Sequence, residues 1–302
     1  MGRDQFGRLM RKDIMNMFRS KRLALLLAAG IGVAACAPVT VLNGITPSSS
    51  FDKTKNVVFG DGERDTLDIY RAEDPKAGAP VLMFVHGGSW DSGSKDMYKF
   101  LAEGFTREGY DIVLPNYRLY PEATFPNFLE DNAAAVAYTA KEFAGRPIVL
   151  MGHSAGAYNV LMLGLRDEFL AMEGVELCTS VAGIVSLAAP TGIVPLESER
   201  LIQIFPERFE GEDAALNNVS NPMPPLFLGH GESDTTVYPE NSKALAEKVV
   251  ARGGQATVEV YPGQSHTDVV KVLSRHFDGG TTLKADIVTF IDGLPKSGNF
   301  CR

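Results

Sequence analysis

This sequence of 302 residues is poor in cysteine, with three, and has a single tryptophan. So few cysteines exclude a small scaffold built on disulfides. No Cys and His spacing of a zinc site occurs either, and no motif calls for a metal or a cofactor. Positive charge is also short, with 29 Lys and Arg against 37 Asp and Glu and a net charge of −8. That balance argues against nucleic acid as a partner, because phosphate binding needs a basic surface. Apart from Leu23 to Val33, no apolar run could anchor the chain in a bilayer, which takes about 20 residues to cross. There is no internal repeat.

The N-terminus has the layout of an export signal. Arg19, Lys21 and Arg22 precede the apolar stretch Leu23 to Val33, which is followed by Ala34-Ala35-Cys36. Small residues before a cysteine at that place resemble the lipobox of bacterial lipoproteins. The resemblance implies a signal peptide over residues 1–35, cleavage before Cys36 and lipidation of Cys36. It also implies a bacterial cell envelope location, held to the membrane and facing the periplasm. A plain signal peptide cut near Ala37, giving a soluble periplasmic or secreted protein, and an uncleaved anchor are the alternatives. Removing residues 1–35 takes away seven basic and two acidic side chains and moves the net charge to −13. Val39 to Thr54, rich in Ser, Thr, Pro and Asn, reads as a flexible tether after the lipidated Cys36. Residues 55–302 have the size of one α/β domain. Cys178 and Cys301 either pair, as an oxidising compartment permits, or remain free; sequence does not fix their separation. Oligomeric state is open.

The order of elements is legible. Lys55 to Gly60 and Asp65 to Arg71 flank Asp61-Gly62 as a hairpin. Apolar strands are expected at Pro80 to Val85, Asp111 to Pro115, Pro147 to Met151, Cys178 to Leu187, Pro224 to Gly229 and Ala256 to Tyr261. Helices are expected over Met97 to Glu108, Asn127 to Phe143, the segment after Ser154, Glu240 to Ala251 and Thr281 to Asp292. Residues 191–222 lack strand periodicity and read as a small cap insertion, with a short helix at Leu196 to Phe205. Strands alternating with helices imply the α/β class, with a mostly parallel sheet flanked by helices and its site at the carboxyl ends of the strands.

The chemistry gathers around Gly152-His153-Ser154-Ala155-Gly156. A strand precedes it and a helix follows, which is the context of a nucleophile elbow. Glycines on both sides allow a sharp turn, and the helix N-terminus presents free N–H groups to the reacting centre. Ser154 needs a base. Of the five histidines, His266 lies in the loop after the last strand and is the expected base. His86 is expected to brace its Gly-Gly loop, His153 to pack locally, His230 to be structural and His276 to lie on the surface. Asp234, after the preceding strand, is the expected partner of His266. Glu232 is the rival acid, and Asp268 is expected to be solvated. The order Ser154, Asp234, His266 suits this topology. Oxyanion donors are expected from Gly88, Ser89 and Ala155.

These residues resemble the α/β-hydrolase family. Within it they are similar to the esterase branch that includes hormone-sensitive-lipase-like carboxylesterases and kynurenine formamidases. The resemblance rests on His86-Gly87-Gly88-Ser89-Trp90, Asn116-Tyr117-Arg118-Leu119, the Gly152 to Gly156 pentapeptide, Asp234 and His266, and covers about Phe51 to Asp292. Ser89 departs from the third glycine of the lipase-like pattern and fits a His-Gly-Gly-x-Trp form. The resemblance implies the α/β-hydrolase fold and a carboxylesterase-type serine hydrolase acting on small or medium esters through an acyl-enzyme on Ser154. An arylformamidase or peptidase of the same fold, and an inactive surface-tethered binding protein, are the alternatives.

Overall fold

The computed structural model describes residues 41–192, 198–220, 222–277 and 279–301. The signal peptide and Cys36 lie outside the described residues, as does Leu196 at the start of the expected cap helix. The chain divides into two units, Met1–Ile45 and Thr46–Arg302. Of the first, residues 41–45 are described and form a helical turn.

The second unit is built on an eight-stranded sheet. Its strands are β1 (Phe51–Val58), β2 (Thr66–Ala72), β3 (Val81–Val85), β4 (Ile112–Pro115), β5 (Ile148–His153), β6 (Val181–Leu187), β7 (Leu226–Gly231) and β8 (Ala256–Tyr261). They lie in the order β1-β2-β4-β3-β5-β6-β7-β8. The β1–β2 and β2–β4 pairs are antiparallel, and every pair from β4 to β8 is parallel. Strands β3, β5 and β6 are buried along their whole length, as their unbroken apolar runs require of strands covered on both faces. Edge strand β8 alternates between exposed and half-buried positions until Tyr261.

The longer helices are α1 (Lys99–Thr106), α2 (Asn127–Glu142), α3 (Ala155–Leu165), α4 (Glu199–Ile204), α5 (Glu240–Ala251) and α6 (Leu283–Gly293). Every residue of α3 is buried. Burial of Val160, Leu161, Met162 and Leu163 contributes about 1.5–3 kcal/mol each, which holds α3 against β5 and β6. The described part of the 191–222 segment holds α4 and two single 3-10 turns, Glu207–Phe209 and Ala215–Asn218, with no strand.

Some boundaries move. The expected tether ends earlier, because Phe51 to Thr54 belong to β1. Phe51 is buried edge-on against Tyr70, with ring centroids 4.9 Å apart, and this contact draws the segment into the hairpin. Cys178 stands in a one-turn helix, Leu177–Ser180, and not in a strand. The polar run Cys178-Thr179-Ser180 closes that turn, with the Ser180 N–H donating to the Glu176 carbonyl at 3.0 Å, and the apolar strand begins at Val181. Cys178 and Cys301 are joined in a disulfide, with Cα atoms 5.0 Å apart.

Candidate active site

The pentapeptide makes the turn its glycines suggest. A side chain on Gly152 would stand 2.4 Å from the Gly156 carbonyl oxygen, and one on Gly156 would stand 2.1 Å from that of Val85. Between them Ser154 adopts φ 54° and ψ −121°, a conformation that costs a non-glycine residue about 1–3 kcal/mol. Its N–H donates to the Leu187 carbonyl at 2.9 Å, so β6 holds the elbow in place.

His266 arrives from the loop after β8. Its Nε2 lies 2.9 Å from Ser154 Oγ, and its Nδ1 lies 2.7 Å from Asp234 Oδ2. A carboxylate only accepts, so Nδ1 carries the ring proton and Nε2 is left to accept from the hydroxyl. Asp234 is buried in the loop after β7, and its Oδ1 accepts the N–H groups of Thr236 and Val237 at 2.9 Å each. Burial alone would raise the pKa of this carboxyl. Bonds from His230 and His266 and from the Val237 amide outweigh that and hold it well below the usual carboxylate range. The expected rival, Glu232, is exposed. Asp268 differs from the expectation of a solvated group: its Oδ2 accepts the Ser265 N–H at 3.0 Å, and its Oδ1 pairs with Lys271 at 2.8 Å. It stiffens the turn that carries His266.

The other histidines each have an assignment. His86 is buried, stacks on Tyr117 with centroids 4.4 Å apart, and donates from Nδ1 to the Gly87 carbonyl at 2.8 Å. Burial lowers its pKa to about 4, so the ring is neutral. His230 is buried and donates from Nε2 to the Val237 carbonyl at 2.8 Å, with Asp234 Oδ2 at 3.3 Å. Its Nδ1 accepts from Ser242 Oγ at 2.8 Å. His276 is on the surface. His153 does more than local packing: its Nε2–H donates to the backbone carbonyl of His266 at 2.8 Å. Burial first, and the neighbouring His266 second, lower its pKa to about 3.

The loop after β3 faces the elbow with an unusual backbone. Gly88, Ser89 and Trp90 have φ of 127°, 51° and 59°. A side chain on Gly88 would meet the Ser92 carbonyl oxygen at 2.1 Å. The Gly88 carbonyl accepts from the Asp91 and Ser92 amides at 3.1 and 3.0 Å. Further along, Arg64 bridges the loops, donating to the Gly93 carbonyl at 3.0 Å and to that of Tyr117 at 2.7 Å. The Asn116-Tyr117-Arg118 run serves the same loop. Asn116 Oδ1 accepts the Lys95 N–H at 2.8 Å, and the Tyr117 hydroxyl donates to the His86 carbonyl at 3.1 Å. Arg118 is clamped by Asp131 of α2, with Nη2 to Oδ1 at 2.6 Å. Ala155 opens α3, so its N–H has no carbonyl to meet within the helix. The arrangement can take a proton from Ser154 and offer backbone donors beside it.

A family model, BD-FAE, matches residues 67–249, which run from β2 through α5 and take in the elbow, the β3 loop and Asp234. The chain belongs to the BD-FAE family. Among curated relatives, isoprenylcysteine alpha-carbonyl methylesterase of Arabidopsis thaliana is 26% identical over 80% of this chain and 64% of its own. Kynurenine formamidase of Drosophila melanogaster is 23% identical over 70% of this chain and 74% of its own. The chain thus spans less than two thirds of the length of the methylesterase relative. A crystal structure of esterase B from Lactobacillus rhamnosis shares the fold with a TM-score of 0.73, at 16% identity, over 89% of this chain and 94% of that one. The fold is that of the α/β-hydrolases.

Proposed function

We propose that this BD-FAE protein is a carboxylesterase-type serine hydrolase. The observation that carries the reading is the unbroken Ser154–His266–Asp234 hydrogen-bond chain, at 2.9 and 2.7 Å, mounted on a strained elbow. Ser154 Oγ attacks the ester carbonyl carbon while its proton passes to His266 Nε2. Asp234 stabilises the resulting imidazolium and keeps the ring in the working tautomer. The carbonyl oxygen, now negative, is met by the N–H groups of Ala155, Gly88 and Ser89. Collapse breaks the bond to the alkoxide, which takes the proton from His266 and leaves as the alcohol. Water then attacks the acyl-enzyme with His266 again as base, releasing the acid and restoring Ser154.

Relatives named as esterases support an ester substrate, and relatives named as kynurenine formamidases favour an aryl formamide as the second reading. The test is a panel of p-nitrophenyl esters beside N-formylkynurenine and a peptide amide, with fluorophosphonate labelling of Ser154. Ester turnover with label on Ser154 is expected. Labelling without ester turnover, but with formamide turnover, would transfer the assignment, and no labelling would end it.

The same protein is proposed to be lipid-anchored through Cys36. Support comes from the lipobox-like run before Cys36 and from the Cys178–Cys301 disulfide, which suits an oxidising compartment. No helix among the described residues is long and apolar enough to cross a membrane. Two or more acyl chains hold a protein stably to a bilayer. Palmitate incorporation lost in Cys36→Ser is the expected result, and a wild type without lipid would refute the anchor.

A further inference from the structure

Helix α3 is apolar along nearly its whole length, yet Asn159 stands at its centre, fully buried. Its Oδ1 accepts the indole N–H of Trp90 at 2.9 Å. Its Nδ2 has no partner among the described residues. A buried donor without an acceptor costs stability, and an apolar residue of similar size would avoid that cost. What the asparagine supplies in return is one acceptor, aimed at Trp90.

Trp90 is the third of the consecutive positive-φ residues Gly88, Ser89 and Trp90. The flanking backbone is the pair of donors assigned above to the oxyanion. A run of such conformations persists only when its surroundings over-determine it. The Trp90 side chain is wedged edge-on against Tyr158 and Phe205, with centroids 5.3 and 4.7 Å away, and its carbonyl accepts the Tyr120 N–H at 2.8 Å. Ring packing is not directional, and the indole N–H makes the one directional contact of the side chain. The bond to Asn159 fixes the orientation of the ring and ties the loop to the same helix that begins beside Ser154.

We infer that Asn159 is a positioning residue for the oxyanion hole, holding the Gly88–Ser89 backbone in register with Ser154 through the Trp90 indole. This rests on the hydrolase reading above. The donors matter most once the carbonyl has become tetrahedral, so misplacing them acts on kcat.

The test uses Asn159→Leu, Trp90→Phe and the double variant, with Asn159→Asp as the conservative change that keeps an acceptor in place. Turnover of p-nitrophenyl acetate is measured with its pH profile. Trp90 is the only tryptophan in the chain, so the single indole N–H resonance reports its bond directly. Removing an oxyanion donor outright costs about 10²–10³ in kcat, and a displaced donor pair is expected to cost roughly 10–100-fold. We expect that loss in Asn159→Leu, with KM within about twofold, an unchanged acid limb and a shifted indole resonance. The double variant should lose little more than either single one, because both break the same bond. Asn159→Asp should recover most of kcat. An Asn159→Leu enzyme within about twofold of wild-type kcat, or additive losses in the double variant, would overturn the inference. A wild type with neither ester turnover nor fluorophosphonate labelling would instead bring down the hydrolase reading on which it stands.

Discussion

His153, the residue before Ser154, holds the loop that carries His266. His153 Nε2–H donates to the backbone carbonyl of His266 at 2.8 Å, and the two rings lie 4.9 Å apart. His153 therefore fixes where His266 stands, and it does so as a neutral ring, without adding a second positive charge beside the imidazolium.

That neutrality has a pH signature. His153 has its pKa lowered from 6.5 to about 3, and His86 from 6.5 to about 4, each mainly by burial. Between those folded values and the unfolded value the unfolded chain binds more protons, so stability rises with pH through this window and falls on acidification below 6.5. Each such group contributes a slope of about 1.4 kcal/mol per pH unit well inside the window. His153→Gln, which keeps an N–H for the His266 carbonyl, should show a shallower acid limb in chemical denaturation between roughly pH 4 and 6. An unchanged slope would mean that His153 is charged in the folded protein. Activity at neutral pH should survive in His153→Gln and fall about 10–100-fold in His153→Leu, where the loop loses its anchor.

Ser154→Ala is expected to lower ester turnover by about 10⁶-fold in kcat while the far-UV spectrum is unchanged. Ser154→Gly should be equally inactive yet more stable, by about 1–3 kcal/mol, because glycine adopts φ 54° without strain. Thermal denaturation of the pair separates the two effects. A Gly variant no more stable than the Ala variant would show that the elbow is unstrained.

Asp234→Asn is expected to cost about 10⁴-fold in kcat, since the amide no longer secures the Nδ1–H tautomer. Glu232→Gln, at an exposed position, should leave kcat nearly unchanged in the same assay. The opposite ranking would reassign the acid.

The disulfide lies at the amino ends of the parallel strands, away from the site. Cys178 and Cys301 are 123 residues apart, so opening the bridge should cost about 2–5 kcal/mol of stability. Dithiothreitol and Cys178→Ser should lower the melting temperature by the same amount and not add, with kcat at 25 °C retained. Loss of activity without loss of stability would tie the bridge to the site instead.

Much of this was legible from residue order. Ser154, Asp234 and His266 each follow an apolar strand, and parallel strands deliver such positions to one edge. The β1–β2 hairpin was legible too, but not the inclusion of Phe51 in it, because the contact that recruits Phe51 is with Tyr70 on the partner strand. The roles of His153 and Asn159 were hidden for a similar reason. Each depends on a bond to a residue distant in the chain, His266 and Trp90, and neither has a local pattern. One signal was available for Asn159: a lone amide within an otherwise apolar helix needs a buried partner. Asp268 is expected to be solvated, yet its carboxylate closes a turn with Ser265, a bond that no sequence pattern announces.

The loops after β3, β5, β7 and β8 bear Gly88 and Ser89, Ser154, Asp234 and His266, whereas the described part of the connection from β6 to β7 holds α4 and its neighbours. That connection is thus separate in sequence from Ser154, Asp234 and His266. Residues 198–220 also brace what lies beneath them: Phe205 packs on Trp90, the Asp213 carbonyl accepts the Tyr158 hydroxyl of α3 at 2.6 Å, and the Ile204 carbonyl accepts the Phe125 N–H at 2.8 Å, so an exchanged stretch has to supply the same contacts. An exchange that keeps those contacts leaves the loops after β5, β7 and β8, and with them Ser154, Asp234 and His266, in place, so the two parts of the chain can be altered independently.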